Sequence, residues 1–236
     1  MKSEKNMGLT GKILSFMTPF QWFEVLILTV FTIYFAIIDK KSSELYLVIN
    51  SISAICGVFC VVLCAAGKKS QYYFGFVNIA AYIVIAMTGK FYGQVALNAL
   101  YYLPTQFVGM HMWKKHMHED VNLVKSKKMS PKQIGIYICG TVAGVIGCHY
   151  LLEVLGGNQT WLDSTTLMIS IAANALMVLR YKEQWALWIV VDGITVTMWA
   201  MAGDMIQVSM WSVYLLNAFY GYFKWSKMNR MNFENE

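Results

Sequence analysis

The stretch 185-WALWIVVD-192, continued as far as Trp199, decides how this chain is read. At about 100° per residue, Trp185, Trp188, Asp192, Thr195 and Trp199 fall within roughly one quadrant of a helical wheel. One stripe therefore carries three indoles, a carboxylate and a hydroxyl, in a segment otherwise apolar enough for lipid. A carboxylate near the bilayer midplane costs roughly 2.5–3.5 kcal/mol on insertion scales, so it belongs against protein or a wet cavity. An indole face beside a carboxylate is a physical means of holding an organic cation. The stripe reads as the wall of a solute pathway.

The rest of the chain fits that frame. Of its 236 residues 57% are hydrophobic and 14% charged, where a soluble domain carries about 25% charged residues. Mean hydropathy is +0.47. Apolar runs of about 20 residues recur throughout, too long and too little alternating for barrel strands. The expected class is an all-α integral membrane protein with eight spans: 21–38, 45–66, 71–88, 91–113, 133–152, 163–180, 183–202 and 204–225.

The segment 1–20 is basic and then amphipathic, and is expected to lie in the interface. No small-residue cleavage site follows it, so the first run is read as a retained span that Thr18 caps and Pro19 starts. With the N-terminus in the cytoplasm, 16 of the 19 basic residues fall on inside segments. That asymmetry predicts both termini in the cytoplasm. The net charge of +6 is thus a topology signal rather than a sign of nucleic-acid binding.

A shift of about 112–113 residues reveals an internal repeat. Lys68 meets Arg180, Gln71 meets Gln184, Gln94-Val95 meets Gln207-Val208, and Tyr101 meets Tyr214. After a slip of one residue, Phe107, Gly109 and Trp113 meet Phe219, Gly221 and Trp225. The expected layout is an extra helix at 21–38, a three-helix bundle at 45–113, a cytoplasmic loop at 114–132, a linker helix at 133–152, a second bundle at 163–225 and a tail at 226–236. An odd-numbered unit repeated across one linker span keeps its orientation. The bundles should therefore be parallel, related by an axis along the membrane normal, with the solute site between them.

Polar residues in the spans supply the remaining candidates. Gln94, Asn98, Tyr101 and Thr105 share a face of the fourth span, with Gln106 just off it. Gln207, Trp211 and Tyr214 share the matching face of the eighth, with Asn217 beside it. Gln71, Asn78, Tyr82 and Asn174 come from the third and sixth spans. Buried amides need partners, so they are either interhelical ties or a cavity lining. Pro104 removes a backbone bond and is expected to kink the fourth span. Gly140 and Gly144 form a small-residue face for internal packing or for a second copy of the chain.

Catalytic equipment is thin. There is no phosphate-binding glycine loop and no nucleophile elbow in the sequence. His149 and Glu153 make too few ligands for a metal site, and Cys56, Cys60 and Cys64 read as packing residues. His116, His118, Glu119 and Asp120 read as parts of a solvated loop. No cofactor or metal is expected. Asp192 and Glu24 are the candidate ion-coupling groups, too few for a pump, so a facilitator is expected.

The WALWIVVD stretch, 212-SVYLLNAFYGYFKW-225, and 94-QVALNALYYL-103 with Trp113 together resemble the PnuC family of nicotinamide riboside transporters. The resemblance covers most of residues 45–226. It implies a helical 3+1+3 fold similar to that of the SWEET sugar transporters. It also implies facilitated diffusion of a cationic vitamin across the bacterial inner membrane, with a cytoplasmic kinase trapping the solute. The family's tryptophan pair falls on Trp185 and Trp188, and its polar positions fall on Gln94, Asn98, Tyr214 and Asn217. With Asp192, Tyr101 and Gln106 these form the expected substrate site. Thiamine, riboflavin or a sugar are alternative solutes, and an intramembrane enzyme or a receptor subunit are alternative classes.

Overall fold

A computed structural model describes residues 17–118, 123–154 and 160–234. The described chain is helical, with only isolated bridges at Met117–Val124 and Lys127–Tyr181 outside the helices. The elements are α1 (Pro19–Ile38), α2 (Glu44–Ala65), α3 (Gln71–Thr88), a three-part rod α4, α5 (Pro131–Val154), α6 (Thr160–Val178), α7 (Gln184–Ala202) and α8 (Met205–Glu234). Rod α4 runs from Tyr92–Ala96 through a π-helical stretch, Leu97–Tyr102, into Leu103–Lys115. Helices α1, α2, α3, α5, α6 and α7 are each long and apolar enough to cross a membrane. Rod α4 is divided by its π turn, and α8 runs nine residues beyond the expected end, through 226-SKMNRMNFE-234.

Local signals set the boundaries. Thr18 caps α1 in a capping box: Gln21 N–H donates to Thr18 Oγ1 (3.3 Å) and Thr18 N–H to Gln21 Oε1 (3.0 Å), with Pro19 in the first turn. The Gln21 amide nitrogen also donates to the Val62 carbonyl (2.9 Å), which ties α1 to α2. The rest of the proposed interfacial segment, 1–16, lies outside the described residues.

The rods pack in a reciprocal pattern. In chain order α2 packs on α3 and α3 on α4, while α6 packs on α7 and α7 on α8. Between the sets, α2 packs on α8 and α4 on α6. Helix α1 lies against α2 and α8, and α5 lies against α6. The outer faces of α1 and α5 stay apolar and exposed, as at Phe23, Leu26, Ile33, Ile136 and Val142. Gly144 of α5 sits under the Met168 side chain of α6, whereas Gly140 faces open space. Interhelical hydrogen bonds in membranes average about 0.6 kcal/mol, so they fix register while close packing carries most of the stability.

Helices α2 and α6 end alike. Gly67 (φ +72°) and Arg180 (φ +67°) are left-handed terminating residues. Each closes the same turn, with Lys68 N–H on Leu63 O (2.9 Å) and Tyr181 N–H on Leu176 O (2.8 Å). The structural match is thus Gly67 with Arg180, one residue from the Lys68–Arg180 pairing expected from sequence. The segment 123–130 follows α4 and lies across both turns: Val124 N–H donates to Gly67 O (2.9 Å) and Lys127 N–H to Arg180 O (2.8 Å). A solvated loop was expected here. Instead Val124 and Ser126 are buried and Lys125 and Lys127 exposed, as alternation along an extended segment dictates, and after a break at exposed Lys128 the Met129 side chain is buried again. Of the other residues read as that loop, His116 and His118 are half-buried, and Glu119 and Asp120 lie outside the described residues.

Candidate functional site

A cavity of about 120 Å³ lies between the two sets of rods. Helix α7 gives it Trp185, Trp188, Asp192 and Thr195; α4 gives Gln94, Asn98, Tyr102 and Gln106; α8 gives Trp211, Tyr214 and Asn217. Gln71, Asn78 and Tyr82 of α3 and Asn174 of α6 also line it, together with Cys60 and Cys64 of α2. Eight of the nine expected site residues are therefore brought together: Trp185, Trp188, Asp192, Gln94, Asn98, Gln106, Tyr214 and Asn217.

Tyr101 is the ninth, and it points elsewhere. Its hydroxyl donates to the Ile171 carbonyl of α6 (2.9 Å). Thr105, on the same expected face, accepts from the Asn174 amide (2.7 Å). The cause is the π stretch, where Leu103 N–H reaches back five residues to Asn98 O. That turn absorbs one extra residue, so the face begun by Gln94 and Asn98 continues through Tyr102 and Gln106 rather than Tyr101 and Thr105. Pro104, which has no N–H, stands just beyond the turn, and the π stretch takes the place of the kink expected there. Tyr102 is the lining residue that sequence reasoning missed. The signal was present: the repeat slips by one residue between Val95 and Phe107, and a slip placed before Tyr102 pairs Tyr102, not Tyr101, with Tyr214.

The lining offers oxygen acceptors and one acidic side chain. Asp192 is 3% exposed, and among the described lining residues there is no Lys, Arg or His. Several amides are held by their nitrogens: Asn78 Nδ2 on Ser53 O (2.9 Å), Asn98 Nδ2 on Gln94 O (2.8 Å) and Asn217 Nδ2 on Val61 O (3.0 Å). Asn217 Oδ1 and Gln106 Oε1 are buried and meet no partner among the described residues, and neither does the Trp185 indole N–H. Such atoms cost about 1–3 kcal/mol each until a partner supplies the bond. One carboxylate, amide oxygens and the π faces of Trp188 and Tyr102, whose centroids lie 6.4 Å apart, suit a flat cation with hydroxyls.

Clusters of buried aromatic side chains lie toward both ends of the cavity. Beneath it Tyr72, Trp113, Trp185 and Trp225 are all buried. Above it the Trp199 indole donates to the Tyr82 hydroxyl (3.1 Å), with the Phe91 ring 4.8 Å from Trp199. Trp199, expected to continue the binding stripe, belongs to this upper cluster. It borders a second, open cavity of about 690 Å³ together with Tyr46, Asn50 and Asp204. There Asp204 accepts from the Tyr46 hydroxyl (2.7 Å) and the Asn50 amide (2.8 Å). At the rim Asp39 is held below the usual carboxylate range by hydrogen bonds from the Ser42 hydroxyl and from the Lys41 and Ser42 amides. Glu24 is buried on α1 outside the central cavity. His149 lies 3.4 Å from Glu153 and stacks on Trp161 at 3.7 Å, also away from it.

Comparison with known proteins gives one consistent result. The family model described as nicotinamide mononucleotide transporter matches residues 47–227. A nicotinamide riboside transporter PnuC of Neisseria mucosa is 39% identical over 188 residues, covering 75% of this chain and 72% of the relative. One of Haemophilus influenzae is 36% identical over 217 residues, covering 90% and 93%. The crystal structure of a vitamin B3 transporter PnuC superposes with a TM-score of 0.81 at 35% identity, covering 91% of this chain and 93% of that one. A family of transporters, not enzymes, thus accounts for a cavity with no catalytic set, and this chain belongs to the nicotinamide mononucleotide transporter family.

Proposed function

We propose that this chain carries nicotinamide riboside across the bacterial inner membrane by facilitated diffusion, with Trp185, Trp188, Asp192, Gln94, Asn98, Tyr102, Gln106, Tyr214 and Asn217 holding the solute. One observation carries the reading: the central cavity has a buried carboxylate, aromatic faces and unspent amide oxygens, with no basic side chain among its described lining residues. The pyridinium ring carries a fixed positive charge, which indoles and Asp192 favour. Ribose hydroxyls and the carboxamide match the amides. The family description names the mononucleotide, whereas the relatives are named for the riboside. The lining favours the riboside, because a phosphate here would sit beside Asp192 with no cation to pair it.

In this reading α1 is an extra helix, α2–α4 and α6–α8 are parallel three-helix bundles, α5 is their linker, and all eight rods span the bilayer. The similar ends of α2 and α6 and the reciprocal packing support it. The end bearing Lys68, Lys69, Lys114, Lys115, Arg180 and Lys182 faces the cytoplasm, as the charge asymmetry favours. Access alternates between the two ends, and a cytoplasmic kinase traps the solute. A second copy of the chain packs through the open Gly140 side of α5.

The test is transport by the purified protein in liposomes. Nicotinamide riboside should equilibrate without an ion gradient. Trp188→Ala should weaken binding about thirtyfold, from about 2 kcal/mol of desolvated cation–π contact. Asn217→Ala should weaken it about tenfold. Unchanged affinity in both variants removes these residues from the site.

A further inference from the structure

The aromatic cluster beneath the cavity is built twice over, by matched residues of the two sets of rods. The Trp113 indole of α4 donates to the Met177 carbonyl at the end of α6 (3.0 Å). The Trp225 indole of α8 donates to the Cys64 carbonyl at the end of α2 (3.2 Å). Each bond runs from the third rod of one set to the first rod of the other. The rings follow the same exchange: Tyr72 meets Trp113 edge-on at 5.5 Å, Trp185 meets Trp225 edge-on at 6.0 Å, and Trp113 and Trp225 meet in the middle at 5.8 Å. Each outer ring lies against a glycine of its neighbouring rod. A methyl added at Gly109 would strike Tyr72, and one added at Gly221 would strike Trp185. Directly below, Val124 and Lys127 of the strap bond Gly67 O and Arg180 O, the two residues that terminate α2 and α6. Asn229 of α8 adds a bond to Ser126 O (3.3 Å).

We propose that Trp113, Trp225 and the 123–127 strap form one latch that holds the basic end of the transporter shut. Separating the two sets at this end breaks both indole bonds and, because the strap bonds one set at Gly67 O and the other at Arg180 O, at least one strap bond with them, so this end opens as a single step. Exposed Lys125, Lys127 and Lys128 keep the strap at the aqueous surface while Val124 and Ser126 anchor it. The inference rests on the alternating-access reading above, but its test requires no solute.

Cys64 borders both the latch and the cavity and is a free thiol, so its labelling reports opening. The assay places the protein, with Cys56, Cys60, Cys139 and Cys148 replaced by Ser, in right-side-out and inside-out vesicles. A membrane-impermeant maleimide is then added. Trp113→Phe and Trp225→Phe keep a ring and delete the bond. Each should raise the Cys64 labelling rate about three- to tenfold, the yield of one lost hydrogen bond. The two together should raise it further, and in one vesicle orientation only. Lys127→Pro, at an exposed position, deletes the strap donor to Arg180 O; it should raise the rate in the same orientation and stands in if a tryptophan variant does not fold. No rise in any of the three overturns the latch. An equal rise from both sides overturns it too, since that is general loosening. Failure of the nicotinamide riboside reading would show separately, as solute binding absent from a protein whose labelling still responds.

Discussion

Rods α4 and α8 carry matched residues, Gln94 with Gln207 and Trp113 with Trp225, yet α4 contains a π turn that α8 lacks. The regular rod presents Trp211, Tyr214 and Asn217 to the cavity by ordinary helical spacing. The interrupted rod presents Gln94, Asn98, Tyr102 and Gln106, each four residues from the last, and that spacing holds a single face only if the helix is underwound. The two repeats therefore give the same pair of ends and two different walls. The difference shows where repeated architecture stops and the specific site begins: the latch is symmetric, while the cavity above it is not.

The largest effect should come from erasing that difference. Pro104→Ala, which supplies the N–H that regular winding needs and keeps the residue count, should let α4 wind regularly and turn Gln106 away by about 100°. Riboside binding should fall at least about a hundredfold, about 2.8 kcal/mol, while circular dichroism and melting report an intact helical fold. Retained binding would mean that the π turn does not set the face.

A smaller effect separates charge from shape. Asp192→Asn keeps the size of the side chain and removes the carboxylate. The preference for nicotinamide riboside over its neutral dihydro form should drop about tenfold in a competition assay, about 1.4 kcal/mol. An unchanged preference would leave the indoles and amides as the whole basis of cation selection.

The smallest effect distinguishes two neighbouring tyrosines. Tyr102→Phe should weaken riboside binding about threefold to tenfold, the range for one lost hydrogen bond. Tyr101→Phe should leave binding alone and lower stability by about 0.6 kcal/mol, because its hydroxyl ties α4 to Ile171 of α6. The opposite assignment in a titration and a melt would restore the face expected from uninterrupted spacing.

Much of this was legible in the residues. Helical period and the run of α7 placed Trp185, Trp188 and Asp192 together, since a regular helix carries its face faithfully along its length. Thr18 and Pro19 marked the start of α1 through local chemistry alone. The misreadings have separate physical origins. The phase of α4 depends on where the extra residue is absorbed, and spacing counted at 3.6 residues per turn cannot show that. Only the one-residue slip in the repeat, between Val95 and Phe107, carried the information. Local sequence does not reveal the strap, because its order comes from carbonyls at Gly67 and Arg180, far away in sequence and exposed only by left-handed helix ends. Trp199 kept the stripe's direction but lay one turn too high, where Tyr82 and Phe91 enclose it.

The central claim is that a cavity with oxygen acceptors and one acidic side chain, free of basic side chains among its described residues, selects a cationic nucleoside. Calorimetric titration of the purified protein with nicotinamide riboside and with its 5′-phosphate tests it most directly. The account predicts saturable binding of the riboside and affinity for the phosphate at least about a hundredfold weaker, a gap of about 2.8 kcal/mol. Equal or tighter binding of the phosphate would contradict it.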